Sequence, residues 1–278
     1  MSVPAPSARS RFAALVERGE SELPLAEAAL LIAAEEYPQL PTGPYLRRLD
    51  LLAERVRDRL SDETAPLVLL QDLSRVLFQE EGFRGNVEDY YDPRNSFLND
   101  VLDRRLGIPI TLSVVYLEVG WRLGLPLAGV NFPGHFLVRY EGEALRILVD
   151  PFQGGELRFE GDAQALLDRV YGRSVPLRAE YLRPAGRKDI LARILSNLKG
   201  IHLNARDDVR ALAAVERLQL LLPGEPREMR DRGMILARLG RAGEAREELE
   251  RYLARAPAAA DTRRVLILLE RLKGQGGI

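Results

Sequence analysis

The chain has 278 residues, a formal net charge of -1, 46% apolar and 29% charged residues, and no cysteine. That length suits one large or two modest domains with a substantial core, and the near-neutral charge gives no electrostatic reason to expect nucleic acid or an anionic membrane as partner. The lack of cysteine removes disulfides, thiolate zinc sites and thiol nucleophiles from this chain. The opening MSVPAPSARSRF has no apolar core of the signal-peptide kind, and no apolar run reaches transmembrane length. A cytoplasmic location is expected.

In chain order, the first hundred residues read as helical. FAALVERG, AEAALLIAAEEYP, YLRRLDLLAERVRDRL and PLVLLQDLSRVLFQEE have helical apolar spacing and stop at Gly, Pro or polar turns. GFRGNVEDYYDPRN follows as a long polar loop carrying Arg84, Asn86, Asp89, Tyr90, Tyr91 and Asp92. Long polar loops often bind ligands or partners. Asp92 or Asn95 can also cap the next helix, with Pro93 in its first turn, and the two roles are compatible. NSFLNDVLDRRLG is another helix. ITLSVVYLEVGWRL is apolar on almost every side, as a buried helix is, and Pro109 suits its first turn. FLVRY and LRILV then read as two strands joined by the turn EGEA, followed by ELRFEG and a helix over DAQALLDRVYG.

His135 precedes the first of these strands and Asp150 ends the second. Paired antiparallel, the strands bring an imidazole and a carboxylate together. A carboxylate on one ring nitrogen fixes the tautomer and leaves the other nitrogen as a base. Such a pair normally serves a nucleophile. Ser113, on the buried helix, is the candidate for that role; the competing reading is a mid-helix serine bonding the carbonyl four residues back. His135 itself also admits a plain core role. His202 reads as structural, because only two histidines exist and a metal site needs several ligands. No metal and no cofactor are expected.

From about Lys188 the chain turns to amphipathic helix. Pro223 and Pro257 stand 34 residues apart, the tetratricopeptide period. In that frame Ala211 and Ala245 fall on the small-residue position of the second helix, Val215 and Leu249 on an apolar one, and Leu218 and Tyr252 on the next. Gly233 occupies the close-packing position of one first helix, but Lys199 stands there in the other. The segment resembles two tetratricopeptide repeats and a closing helix, a length that calls for docking on the preceding domain.

The spacing from His135 to Asp150-Pro151, with Leu123-Gly124-Leu125-Pro126 after the buried helix, resembles the transglutaminase-like fold of cysteine acyl transferases and proteases. The resemblance implies a cysteine at the start of that helix; here the position falls on Pro109, within GIPITLS. More closely, FRGNVEDYYDPRNSFLNDVLDRRLGIPITLSVVYLEVGWRLGLPLAGVNFPGHFLVRY looks like the SirB1 family, a transglutaminase-like core followed by tetratricopeptide repeats. The expected fold is α+β and mostly α. Residues 1–24 form an N-terminal segment, 25–187 a transglutaminase-like domain with a small antiparallel sheet, and 188–278 the helical repeats. The expected function is a non-catalytic interaction or regulatory protein with a protein or peptide partner. The alternatives are a hydrolase or acyl transferase using His135 and Asp150 with Ser113 or water, and a scaffold without ligand.

Overall fold

A computed structural model describes residues 6–59, 65–142 and 146–274. Packing divides the chain into two compact units, residues 1–194 and 195–278.

The first unit begins with α1 (Ala8–Val16), α2 (Leu25–Glu36), α3 (Thr42–Arg57) and α4 (Pro66–Ser74). The chain continues from α4 into a π-helical stretch, Arg75–Glu80. A short strand β1 (Arg84–Gly85) pairs in parallel with β2 (Leu106–Gly107), on either side of α5 (Leu98–Arg104). Helix α6 (Pro109–Arg122) follows, with every residue from Pro109 to Gly120 buried. Its all-round apolar character has the expected cause: α2, α3 and α5 pack on it, as do β3 (Leu127–Val130) and β4 (Leu137–Glu141).

The sheet is antiparallel throughout, in the order β6-β5-β4-β3-β7, with β5 at Arg146–Asp150, β6 at Glu156–Phe159 and β7 at Pro184–Ala185. Val138 pairs with Val149 and Glu141 with Arg146. The turn expected over EGEA falls partly on residues 143–145, outside the described residues. Four residues in a row are buried on each of β4 and β5, rather than alternate ones. Both faces are covered: α6 lies on one, while Leu137 and Leu148 pack with Leu166 and Leu167 of α7 (Ala163–Tyr171) on the other.

Helix α8 (Arg187–Asn204) begins in the first unit, and the division between the units falls within it. The second unit adds α9 (Asp208–Leu221), α10 (Pro226–Arg238), α11 (Ala242–Arg255) and α12 (Thr262–Gly274). Ala211, Val215, Ala245, Leu249 and Tyr252 share one buried cluster. A β-carbon on Gly233 would lie 2.6 Å from Leu249 and 3.3 Å from the Ala245 carbonyl, so glycine here permits helix contact. At the matching position Lys199 is buried, yet it causes no loss of pairing. Its ammonium donates to both Glu228 oxygens at 2.8 Å and to Asp231 at 2.7 Å.

Candidate functional site

His135 leaves a tight turn two residues before β4. Its N–H donates to the Phe132 carbonyl at 3.0 Å, and Phe132 is fully buried beneath the turn. Gly134 sits at φ +70°, where a β-carbon would also lie 2.7 Å from Val170. Backbone conformation and space both select glycine in the sequence PGH.

Asp150 closes β5 and is buried. Its Oδ1 accepts the backbone N–H groups of Phe152 at 3.1 Å and Gln153 at 3.3 Å, capping the 3-10 turn Pro151–Gln153. His135 Nε2 lies 2.9 Å from each carboxylate oxygen. With Nε2 donating to the carboxylate, the neutral ring presents Nδ1 as its acceptor. Among the described residues nothing hydrogen-bonds to Nδ1.

Phe152 connects this pair to the polar loop. Its ring meets His135 edge-on at 6.0 Å and Tyr90 edge-on at 6.1 Å between centroids. It lies over Gly85, where a β-carbon would come within 2.5 Å of the ring. Tyr91 packs edge-on against Tyr90 and is 71% exposed. Tyr91, Tyr90, Phe152 and His135 thus form a continuous aromatic row. Burial pushes the Tyr90 phenol up, and the Arg193 cation pulls it back in part.

The loop is held by buried polar groups. Asn86 donates through Nδ2 to Asn95 Oδ1 at 3.0 Å and accepts the Asp89 N–H through Oδ1 at 3.1 Å. Asn95 Nδ2 donates to the Asp89 carbonyl at 2.7 Å and the Tyr90 carbonyl at 3.2 Å. Thr111 on α6 donates to the Asn95 carbonyl at 2.6 Å and accepts the Ile108 N–H at 3.1 Å. The Asn86 N–H reaches the Gly107 carbonyl at 2.9 Å, so the loop is tied to the residues just before Pro109. Asp92 caps the turn Pro93–Asn95, rather than α5, through a 3.0 Å bond from the Arg94 N–H. Burial alone would raise its carboxyl, but hydrogen bonds from Arg94 and the charge of Arg104 hold it below the usual carboxylate range. Of the six loop residues singled out from the sequence, Asn86, Asp89, Tyr90 and Asp92 belong to this construction. Arg84 and Tyr91 lie exposed. Sequence reasoning missed Phe152, Gly85 and Thr111, and saw Asn95 only as a cap. DPFQGG, with an aromatic inside a turn opened by Asp-Pro and closed by two glycines, was the available signal.

Pro109 is buried at the first position of α6, and α6 packs against the 151–153 turn. Ser113 is fully buried, and its Oγ has no hydrogen-bond partner among the described residues. It therefore bonds neither the carbonyl four residues back nor His135. Among the described residues no cluster of three or more His, Asp or Glu suits a metal ion. No helix among them is long and apolar enough to cross a membrane.

Comparison with known proteins gives the same two-part division of the chain. The Transglutaminase-like superfamily matches residues 44–196, and the tetratricopeptide repeat matches residues 198–270. A UPF0162 protein of Xylella fastidiosa is 41% identical over 245 residues, covering 86% of each chain. One from Pseudomonas aeruginosa is 36% identical over 229 residues, covering 82% of this chain and 83% of its own. F-box only protein 21 of mouse is 43% identical over 96 residues, 32% of this chain and 15% of its own.

Proposed function

Since the chain belongs to the transglutaminase-like superfamily and to the UPF0162 family within it, of SirB1 type, we propose that it is a non-catalytic cytoplasmic protein that binds a protein or peptide partner. The observation that carries this reading is an ordered His–Asp pair with no nucleophile attached to it. The chain has no cysteine, Pro109 starts the central helix without sulfur or hydroxyl, and Ser113 Oγ makes no bond to His135. A serine acts as nucleophile through a closely placed base and oxyanion donors. The aromatic row, exposed at Tyr91 and Tyr90 and running inward through Phe152 to His135, supports a binding role for the same region, because rigid aromatic side chains give large contact area at low entropic cost. The tetratricopeptide repeats point the same way, since repeats of this kind generally mediate protein–protein interaction.

The test is a screen of the purified chain with amide, ester and glutamine-donor substrates, beside His135→Ala and Ser113→Ala. The expected result is no turnover that depends on these residues. Turnover lost in both variants, with folding intact, would establish the serine enzyme instead.

A further inference from the structure

Within the repeat unit, α10 and α12 enclose a groove of about 460 Å³, within the size range of ligand pockets. Its apolar floor is Met234 with Ile267 and Leu268; Arg238, Arg264 and Arg271 stand around it. On α12 the spacing 264, 267, 268, 271 places the two arginines and two apolar residues on one face. The adjoining face buries Val265, Leu269 and Leu272 in the unit's core, and Leu272 also reaches the groove. Ile267 nonetheless remains 54% exposed.

Charge distinguishes this groove from the rest of the unit. Elsewhere the repeat's own acids neutralise many of its cations: Arg230 pairs with Asp231 and Asp261, Arg232 with Glu216 and Glu248, and Arg241 with Glu244. Arg238 is likewise offset by Asp208. Arg264 and Arg271 form no ion pair with any described residue, and no acidic residue lines the groove. We infer that this groove binds an acidic peptide segment carrying apolar side chains. Its carboxylates meet Arg264 and Arg271, and its apolar side chains cover Ile267, Leu268 and Met234. A nucleic acid backbone would satisfy the cations but leave the apolar floor uncovered. The inference rests on the protein-binding reading and adds the partner's chemistry to it.

The experiment selects a displayed random dodecapeptide library on the full chain. Enriched peptides are then measured by fluorescence anisotropy on wild type, Arg264→Glu/Arg271→Glu and Ile267→Ser. All three positions are exposed, so far-UV circular dichroism should not change. The expected pool is acidic with apolar residues interspersed. Its affinity should fall about tenfold or more with the double charge reversal, and weaken with added salt. Ile267→Ser should weaken it about threefold. Enriched peptides that are not acidic, or that bind the charge-reversed variant equally well, overturn the groove assignment while the protein-binding reading stands. A labelled single-stranded oligonucleotide that competes fully for the groove overturns the peptide chemistry. Failure to enrich any peptide on wild type counts against both.

Discussion

Replacing Asp150 should cost the first unit more than replacing its histidine partner. Asp150→Ala removes the acceptor for two backbone N–H groups, at Phe152 and Gln153, and the bond to His135 Nε2. Loss of a cap of this kind costs about 1 kcal/mol. Loss of a buried hydrogen bond to a charged group costs about 2 kcal/mol. The expected total is about 3 kcal/mol. His135→Ala loses only the imidazole bond, about 2 kcal/mol, and leaves Oδ1 of the carboxylate its two backbone donors. Asp150→Asn keeps an acceptor for the turn and should fall between the two. The chain's single tryptophan makes the assay selective. Trp121 lies on α6 and donates its indole N–H to the Leu127 carbonyl at 2.9 Å, so its emission during urea unfolding reports the first unit. If Asp150 served only to orient the imidazole, Asp150→Ala and His135→Ala would lose the same stability. Equal losses, or less than about 1 kcal/mol for Asp150→Ala, would refute the capping argument.

Two further substitutions probe buried polar groups. Ser113→Ala should be neutral or stabilise by up to about 1 kcal/mol, because it removes a hydroxyl that has no partner; a clear loss in the same urea assay would show that the hydroxyl is engaged. Lys199→Met should destabilise the repeat unit by about 3–5 kcal/mol at neutral pH, since it leaves Glu228 and Asp231 without their shared cation. Burial alone raises the Asp231 carboxyl, but bonds from Lys199 and Arg230 hold it below its ordinary value. A depressed carboxylate contributes stability above its unfolded pKa and loses it as pH falls through the folded one. The penalty of Lys199→Met should therefore shrink below about pH 4, near the unfolded value for aspartate. Hydrogen exchange of the α9 and α10 amides reads this unit separately, and a penalty unchanged in acid would contradict the pairing.

Helices were legible wherever apolar spacing decided them; α6, apolar on almost every side, carries no such spacing and was legible only from the length of its run and the Gly-Leu-Pro stop after it. The pairing of β4 with β5 followed from two apolar runs and one turn, and the His135–Asp150 contact from that pairing. β3 went unread: LAGV is short, contains Gly129, and is a strand only because β4 and β7 flank it. The same holds for β1 and β2, two residues each, whose pairing spans the whole of α5. The candidate loop was recognised by composition, but its internal construction was not. Nothing in a linear reading says that the amide of Asn95 reaches back to Asp89 and Tyr90, or that Phe152 bridges the loop to the histidine. Those contacts depend on long-range positions set by the fold. Lys199 shows the reverse case: lysine breaks the repeat pattern at a close-packing position, while the compensating acids lie 29 and 32 residues ahead.

The hub at Asn95 separates two kinds of position in one loop. Asn86, Asn95 and Thr111 are buried, and their amide and hydroxyl groups are committed to backbone and to one another. Val87 and Tyr91, between and beside those anchors, are 75% and 71% exposed. The loop can therefore change what it presents at its tip without renegotiating how it folds. Under the proposed binding role, substitutions at 87 and 91 should act on recognition with little effect on stability, whereas those at 86, 95 and 111 act on stability first. If the loop does bind a partner, such an arrangement would let its exposed tip change while the buried anchors hold the scaffold fixed.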